Sequence, residues 1–230
     1  MNIETIDIDG TLIAIDRSLV SEVILGAMRK KQYEHVEARI GSALMNEASF
    51  PSGQVVLEVG AGLGYVGSCL FRTGKVDRVV AYEGNPSLVP LIKETHRLNG
   101  VQSDVRNAIL GQRSEGSTDI FIPKDFWAAS TAENPRAERV SVLCASFQQA
   151  IANEKPTFLL VDIEGGEESL FDSVTSLGTI ERLLIEIHQP FIGRRGIQRF
   201  FMAMSRLGMV YDQKYSTGKV VLFQRDYLPL

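Results

Sequence analysis

The sequence is poor in the residues that define disulfide-rich proteins and in those that form membrane spans. Only 2 of its 230 residues are cysteines, Cys69 and Cys144, and they lie in apolar stretches far apart in the chain. A disulfide framework is excluded, and we expect two buried, reduced thiols, as in a reducing compartment. No apolar run approaches the about 18 residues of a membrane helix, and no charged-then-apolar signal segment opens the chain. We therefore expect a cytoplasmic protein with no membrane partner.

The chain also lacks an excess of positive charge. Its 24 lysines and arginines are outnumbered by 28 aspartates and glutamates, which gives a formal net charge of -4. The two short basic groups, 29–31 and 194–195, are not interleaved with aromatic residues that could stack on bases. A protein that binds nucleic acid needs a positive surface to replace the counterions of the phosphates. We expect no nucleic-acid partner, and the composition does not indicate an oligomeric state.

Short apolar runs alternate with helical stretches after residue 50. With 44% hydrophobic residues, the chain is long enough to build one sizeable core. Strands divided by helices favour an α/β fold with a doubly wound, mostly parallel sheet of seven strands. Only the last two strands are close enough to form a hairpin, so we expect one antiparallel edge strand. The predicted strands are 54–59, 78–83, 103–107, 157–162, 182–187, 207–213 and 219–224.

The first 50 residues show a different pattern, which predicts a hairpin followed by helices. Asp9 and Gly10 favour a tight turn between strands at 3–8 and 11–15. Apolar spacing then predicts one helix that carries Ile24 and Met28 and a second from about 33 to 47. We divide the chain into an N-terminal extension at 1–50 and a main domain at 51–230.

The same N-terminal segment imitates the nucleophile loop of haloacid-dehalogenase-type phosphatases. Residues 7–11 read D-x-D-G-T. In those enzymes the motif closes a wholly buried parallel strand, whereas Glu4, Thr5 and Asp7 make the strand half polar here. The downstream acidic pair that should follow a lysine is not evident either. We therefore favour the hairpin and expect no phosphatase chemistry.

A glycine-rich segment directly behind a buried strand is the most informative feature of the chain. Residues 58–64 read E-V-G-A-G-L-G and follow the apolar run 55–57. A strand that ends in bare backbone before a helix N-terminus is a site for a nucleotide-like cofactor. Glu58 separates the candidate cofactors, because a carboxylate repels a pyrophosphate and suits a cationic ligand. The ammonium and sulfonium groups of S-adenosylmethionine are such cations.

A dinucleotide site is the main alternative. Gly62, Gly64 and Gly67 also satisfy G-x-G-x-x-G, and Glu83 follows about 20 residues later. Under either hypothesis the Glu83 carboxylate would accept hydrogen bonds from two ribose hydroxyls. Glu83 therefore indicates an adenosine ligand without choosing between S-adenosylmethionine and NAD. A glycine turn that binds nothing is the third reading of the segment.

Polar side chains follow two further strands of the predicted sheet. Asp162 and Glu164 come after the run 158–161, and Glu186 and His188 follow 183–185. Because ligands of open α/β sheets bind at the carboxyl ends of the strands, these groups are candidate catalytic residues. His188 is a candidate base for a substrate hydroxyl, with a hydrogen-bonded structural histidine as the alternative. Asp162, Glu164, Glu186 and His188 are also a candidate ligand set for a divalent metal, which the sequence does not decide.

Two other features carry weaker signals. The polar stretch 123–139 interrupts the regular pattern and holds the only tryptophan, Trp127, followed by Ser130 and Thr131. Loops of this length are typically functional or disordered. His35 and His96 fall in helical stretches, and we predict that both lie on the surface.

The chain resembles the FkbM-type S-adenosylmethionine-dependent methyltransferases over about residues 50–190. The resemblance rests on residues 56–64, on Y-E-G-N-P at 82–86, on N-A at 107–108 and above all on V-D-I-E-G-G-E at 161–167. It implies a Rossmann-like class I methyltransferase sheet. The glycine loop would hold the methionine part of the cofactor, Glu83 the ribose, and the region of Asn107 the adenine. Glu58 stands where an aspartate is more usual, which keeps the charge. The cofactor contacts expected from these motifs are Glu58, Gly60, Ala61, Gly62, Gly64, Tyr65, Glu83, Gly84, Asn85, Asn107, Ala108 and Asp162.

The resemblance also implies an activity. Family members commonly methylate hydroxyl oxygens of sugars and secondary metabolites, so we expect O-methylation of a small molecule, sugar or glycan. Asp162, Glu164 and His188 are the residues expected to serve the transfer. The strand before Asp162 does not lead into the N-P-P-Y-like segment of enzymes that methylate amino groups, which favours an oxygen acceptor. An NAD-dependent oxidoreductase and a non-catalytic adenosine-binding module are the alternatives.

Overall fold

The computed structural model describes residues 3–112, 116–123 and 135–226. The N-terminal elements are β1 (Ile3–Ile8), β2 (Thr11–Asp16), α1 (Glu22–Arg29) and α2 (His35–Met45). The chain continues with β3 (Gln54–Val59), α3 (Tyr65–Phe71), β4 (Val76–Glu83), α4 (Val89–Leu98), β5 (Ser103–Asn107), β6 (Ile109–Gly111), β7 (Ser117–Ile122), β8 (Glu138–Ser146), α5 (Phe147–Glu154), β9 (Phe158–Val161), α6 (Glu167–Phe171), β10 (Arg182–Glu186), α7 (Gln189–Arg206), β11 (Met209–Thr217) and β12 (Val220–Arg225).

The main sheet has seven strands in the order β11-β12-β10-β9-β3-β4-β5. The expected α/β fold with a mostly parallel, doubly wound sheet is confirmed. The position of the antiparallel strand differs from the prediction by one place. β12 pairs antiparallel with both β10 and β11, so it lies one strand in from the edge. Helix α7 leads the chain from β10 to β11, which forms the edge of the sheet. The short connection after β11 then places β12 between β11 and β10.

The central strands of the main sheet, β3, β9 and β10, are buried on both faces. Val56, Phe158 and Leu184 belong to the apolar cluster on one face, and Leu57 and Leu159 belong to the cluster on the other. Side chains alternate along a strand, so a strand covered by helices on both sides reads as a continuous apolar run. This is why the core strands could be found in the sequence.

The N-terminal elements pack on the main sheet and share its core. Ile13, Ile24 and Leu44 join the same apolar cluster as Val56. The hairpin is also tied to helix α4, since the Ala14 amide donates to Thr95 Oγ1 at 3.0 Å. The boundary at residue 50 stays a prediction.

The hairpin turn has the conformation that its two residues favour. Asp9 and Gly10 both have positive φ, at 52° and 81°, and the Asp7 carboxylate accepts the Gly10 amide at 2.7 Å. Strands β1 and β2 form a two-stranded antiparallel sheet of their own. The D-x-D-G-T segment therefore lies in an antiparallel hairpin and not at the end of a buried parallel strand.

A second, smaller sheet occupies the region where the sequence pattern was irregular. Strands β6, β8 and β7 form a three-stranded sheet, in which Ile120 pairs with Val140. The sequence analysis placed no strands there. Trp127, Ser130 and Thr131 lie outside the described residues. In the part of the chain that is described, no helix combines the length and apolarity needed to cross a membrane. Cys69 and Cys144 are free and partly exposed, so the expectation of full burial is wrong.

Candidate active site

A cavity of about 210 Å³ opens at the carboxyl ends of the central strands. Strands β3 and β9 are neighbours in the sheet although they come from distant parts of the chain. Open α/β sheets bind their ligands at the carboxyl ends of such a pair of strands. The lining comes from the N-terminal helices, the glycine loop, the ends of β4 and β5, the small sheet and the segment after β9. The lining residues are Tyr33, Glu34, Val59, Gly60, Gly62, Tyr82, Glu83, Gly84, Leu88, Ala108, Ile109, Leu110, Ile120, Asp162, Ile163, Glu164, Gly166 and Ser169.

The glycine loop approaches two other segments too closely for side chains. A Cβ at Gly60, whose φ is +82°, would lie 1.8 Å from the backbone oxygen of Asp162. A Cβ at Gly62 would lie 2.9 Å from Glu34 Oε1. Bare backbone at these two positions is therefore required both by conformation and by space. Gly60 and Gly62 form one wall of the cavity.

Glu58 lies behind the glycine loop and does not line the cavity. Its side chain is buried, with 2% exposure, and Oε1 accepts the amide of Gly67 in the first turn of α3 at 3.0 Å. Burial raises the pKa of Glu58 to about 8. The carboxylate therefore satisfies a free amide at a helix N-terminus, and a direct contact with a cationic ligand is not what the cavity lining shows.

Glu83 presents its carboxylate to the cavity from the end of β4. Oε2 accepts the Gly62 amide at 3.0 Å and Oε1 accepts the Asn85 amide at 2.7 Å. Burial raises the pKa of Glu83 to about 7, although these backbone bonds favour the ionised form. The backbone amides of Gly84 and Ala61 also interact with this carboxyl group. The side chain is thus fixed in place on the cavity wall.

The other predicted cofactor contacts divide into those that line the cavity and those that support it. Gly84 and Ala108 are part of the lining. Asn107 supports the wall, since its Nδ2 donates to the backbone oxygens of Glu83 at 2.9 Å and Gly84 at 3.0 Å. The remaining residues do not line the cavity and are Ala61, Gly64, Tyr65 and Asn85.

Two contributions to the cavity were missed by the sequence analysis. One is the apolar wall formed by Leu88, Ile109, Leu110 and Ile120. The other is Tyr33 and Glu34 at the start of α2, where Glu34 adopts a left-handed conformation with φ 44°. Burial and then the charge of Asp162 raise the pKa of Glu34 well above its ordinary value. No local pattern marks these residues as part of a site, because they reach it only through the docking of α2.

Asp162 and Glu164 line the acidic end of the cavity, and His188 lies beside them. His188 Nε2 is 3.3 Å from Glu186 Oε1, 3.5 Å from Glu164 Oε1 and 3.8 Å from Asp162 Oδ1. On the other side of the ring, Nδ1 lies 2.5 Å from Glu167 Oε1, which also accepts the His188 backbone amide at 3.0 Å. The structure thus brings together all the polar groups predicted from the two strand ends.

The electrostatics of this cluster bear on the predicted role of His188. Burial lowers the pKa of His188, but hydrogen bonds to Glu167 and Glu186 outweigh it and raise the pKa to about 10. Burial and then the charge of Glu186 raise the pKa of Asp162. For Glu186, burial is outweighed by hydrogen bonds to His188 and Lys219, which lower the pKa to about 2. At neutral pH this His188 is an imidazolium and has no free lone pair with which to take a proton.

His96 is a clear error of the sequence analysis. It is buried, with 1% exposure, and burial lowers its pKa to about 4, so the ring is neutral. A Cβ at Gly64 would lie 2.9 Å from His96 Nε2. His96 therefore packs beneath the glycine loop, because helix α4 turns this residue towards the sheet. His35 is exposed, as predicted.

The sequence of residues 58–226 matches the family model described as the Methyltransferase FkbM domain. The match covers more than half of the chain and includes the glycine loop, Glu83 and the acidic cluster. The chain belongs to the FkbM methyltransferase family. Its main domain is thus an S-adenosylmethionine-dependent methyltransferase domain, as the resemblance of its motifs implied.

Several solved structures are similar to this FkbM domain protein. An FkbM methyltransferase from Methylobacillus flagellatus KT is 13% identical, with 90% of this chain and 56% of that chain covered and a TM-score of 0.44. TYW2 from M. jannaschii, solved in complex with AdoMet, is 16% identical, with coverage of 97% and 86% and a TM-score of 0.48. A protein of the NADB-Rossmann superfamily from Streptococcus agalactiae is 13% identical, with coverage of 84% and 69% and a TM-score of 0.49. No curated protein matches the chain.

The cavity of this FkbM domain fits S-adenosylmethionine by the chemistry of its walls. One end is apolar, with Leu110 and Ile120, and suits the adenine. Glu83 lies on the lining and suits the two ribose hydroxyls. The other end carries the carboxyl groups of Glu34, Asp162 and Glu164, and suits the cationic methionine portion. The phosphates of NAD would meet the same carboxyl groups, which offer no positive charge to pair with them.

Proposed function

We propose that the chain is an S-adenosylmethionine-dependent O-methyltransferase whose acceptor is a hydroxyl of a small molecule or carbohydrate. The observation that carries the proposal is the placement of Asp162 and Glu164 on the cavity wall. A methyltransferase that acts on a hydroxyl must position the acceptor oxygen and remove its proton. A carboxylate oxygen can accept a hydrogen bond from the substrate hydroxyl, which positions it, and can also accept its proton.

Different residues of the chain would bind different parts of the cofactor. Glu83 would accept the ribose hydroxyls, and Ala108 and Ile120 would pack on the adenine. Asp162 and Glu34 would lie on the side of the positive charge. When bound, S-adenosylmethionine supplies an electrophilic methyl group on its sulfonium. The chain then needs only to exclude water and to hold the acceptor in line.

Glu164 is the group that we assign to the acceptor proton. It lines the cavity and is half-buried, and burial raises its pKa from the ordinary value, which makes it a better proton acceptor than an exposed glutamate. Asp162 would accept a second hydrogen bond from the acceptor. His188 contacts both carboxylates and is a positioning residue, because its imidazolium fixes them and carries no lone pair for the proton.

The net charge of the chain and the carboxyl groups of its cavity bear on the class of acceptor. A net charge of -4 and a cavity with four carboxyl groups disfavour the phosphates of nucleic acid. A neutral polyol or sugar can donate several hydrogen bonds to such a surface. We therefore infer a small-molecule or carbohydrate partner and no nucleic-acid or membrane partner.

Calorimetry with three ligands tests the cofactor. We expect S-adenosylmethionine and its demethylated product to bind and NAD not to bind. Binding of NAD alone would replace the proposal by the oxidoreductase alternative.

An acceptor panel of sugars, glycans and hydroxylated small molecules tests the reaction. Products are detected by mass spectrometry, and the methylated atom is assigned by NMR. A methyl group on nitrogen contradicts the proposal. Tight binding of the demethylated product without turnover on any acceptor supports the non-catalytic adenosine-binding module.

A further inference from the structure

We infer that Asp162, Glu186 and His188 form a binding site for one divalent cation of the Mg²⁺ and Mn²⁺ class. One ligand atom of each of these three residues lies within 4.8 Å of the others. Two are carboxylate oxygens and the third is the imidazole nitrogen His188 Nε2, which must release its proton to water as the cation binds. Mn²⁺ accepts this mixture of ligands, and Mg²⁺ tolerates it when water fills the other positions. The binding itself is independent of the proposed function, whereas the role given to the cation below rests on it.

The orientation of His188 is the first argument for a metal. Glu167 holds both the backbone amide and Nδ1 of His188, at 3.0 and 2.5 Å. Nε2 is thereby directed at the carboxylates of Asp162 and Glu186. Histidines that bind metals usually donate their other ring nitrogen to a carboxylate, which fixes the ring and its tautomer. The pair of His188 and Glu167 has this arrangement.

The spacing of the candidate ligands is the second argument. His188 Nε2 is 3.3 Å from Glu186 Oε1 and 3.8 Å from Asp162 Oδ1. In an octahedral site with bonds of about 2.1 Å, adjacent ligand atoms are about 3 Å apart. The Asp162 and Glu186 oxygens lie within 4.8 Å of each other, so the three atoms can share one cation if the carboxylates move closer together.

A buried carboxylate oxygen without a partner beside the site is the third argument. Glu167 is fully buried, and its Oε2 has no hydrogen-bond partner among the described residues. Glu37 is buried as well and interacts with Glu186. Besides His188, the cationic side chain that contacts Glu186 is Lys219, which is 65% exposed and can turn away into solvent. A buried carboxylate oxygen without a partner is costly unless a cation lies nearby.

The cation would act on the acceptor of the proposed reaction. Asp162 reaches the site from the cavity wall, which puts the cation within reach of an acceptor oxygen in the cavity. A hydroxyl bound to a divalent cation is more acidic, so Glu164 could take its proton at neutral pH. The acceptor oxygen would then form its bond to the methyl group as the bond between methyl and sulfur breaks.

Mn²⁺ is the probe that tests the site, on the full chain after chelator treatment and desalting, without cofactor or acceptor. We expect saturable binding of one equivalent by calorimetry and by loss of the free Mn²⁺ EPR signal. D162N and E186Q should each weaken binding by at least about tenfold. E168Q is the matched control, because Glu168 lies on the same acidic segment but contacts Arg199 instead. It should bind Mn²⁺ within about twofold of the wild type.

A spectroscopic readout keeps the test valid if a variant fails to fold. Pulsed EPR of wild-type protein with Mn²⁺ should show nitrogen coupling from one imidazole. Absence of saturable binding up to millimolar Mn²⁺, equal binding by all variants, or bound Mn²⁺ without nitrogen coupling each overturns the inference. His188 and Lys219 would then be the cations that balance the cluster.

The failure of this inference and that of the proposed function are distinguishable. S-adenosylmethionine binding is measured on the same sample in EDTA. If the cofactor binds and methyl transfer proceeds unchanged in EDTA, the role given to the cation is refuted and the O-methyltransferase stands. If Mn²⁺ binds but the cofactor does not, the metal site stands and the proposed function fails.

Discussion

The substitution Glu58→Gln should make the stability of the cofactor-free protein much less dependent on pH. Burial raises the pKa of Glu58 from 4.5 to about 8 in the folded protein. The folded state therefore holds a proton that the unfolded chain releases. The resulting stabilisation is fully present below pH about 4.5 and is lost as the pH rises through about 8. At higher pH the buried carboxylate is ionised, and its Oε2 has no hydrogen-bond partner among the described residues.

The magnitude follows from the two pKa values. The whole effect is about 5 kcal/mol, of which about 3 kcal/mol is lost between about pH 5.5 and about pH 8.5. Glutamine has no proton to lose and can still accept the Gly67 amide through its carbonyl oxygen. Buried carboxyl groups that do not interact with Glu58 titrate alike in both proteins and cancel in the difference, and burial is the largest cause of the Glu58 shift, ahead of the charge of Glu83.

Urea unfolding at several pH values measures this difference. The free energy of unfolding of the wild type should fall by about 3 kcal/mol more than that of Glu58→Gln across this range. Glu4→Gln is the control, because Glu4 is an exposed carboxylate paired with Arg17, and its curve should follow the wild type. Parallel curves for the wild type and Glu58→Gln would refute the account of Glu58 as a buried, protonated carboxyl group.

Four further predictions follow from the site and the hairpin. Gly60→Ala should destabilise the protein by at least about 2 kcal/mol more than Gly74→Ala in urea unfolding, because both residues have positive φ but only Gly60 faces backbone at 1.8 Å; equal losses contradict this. Glu83→Ala should weaken S-adenosylmethionine binding by about 1–3 kcal/mol, and Glu83→Gln by less, in calorimetry; unchanged affinity removes Glu83 from the site. Glu164→Gln should lower turnover at least about tenfold with cofactor affinity within a few-fold, as steady-state kinetics and calorimetry would show; normal turnover makes the acidic edge structural. Asp7→Asn should have no effect on activity, and hydrolysis of p-nitrophenyl phosphate that vanishes in this variant would refute the hairpin interpretation.

Much of the fold was predictable because its core strands are short and buried on both faces. Such strands appear as uninterrupted apolar runs, as at 55–57 and 158–161. The helices between the strands separate these runs along the chain. The irregular region was harder. Strands β6, β7 and β8 are partly exposed and mix polar with apolar residues, so the sequence contains no clear period for them. The place of β12 was misjudged for another reason, since the order of strands in a sheet depends on where a long helix returns the chain.

The candidate site was predictable where strand ends define it. Gly60 and Asp162 directly follow a strand, Glu83 ends β4, and His188 lies two residues after β10. Parallel strands bring their carboxyl ends to one edge. Glu58 also follows this rule, yet its side chain turns behind the loop to the amide of Gly67. A motif shows which residues are near a ligand, whereas the direction of each side chain depends on competing hydrogen-bond donors.

The sequence by itself determined the α/β class, the glycine loop and the acidic strand ends, because these depend on contacts between residues close in the chain. Only the tertiary structure decided that Tyr33 and Glu34 complete the cavity, that His96 is buried beneath Gly64, and that Glu167 orients His188. In the first two cases the partners are separated by about 30 residues or more, and helix docking brings them together. Glu167 and His188 lie on neighbouring strand-end segments, and the pairing of β9 with β10 sets their distance. Burial then follows from packing, and the pKa values of the acidic cluster follow from burial and from neighbours that no local pattern specifies.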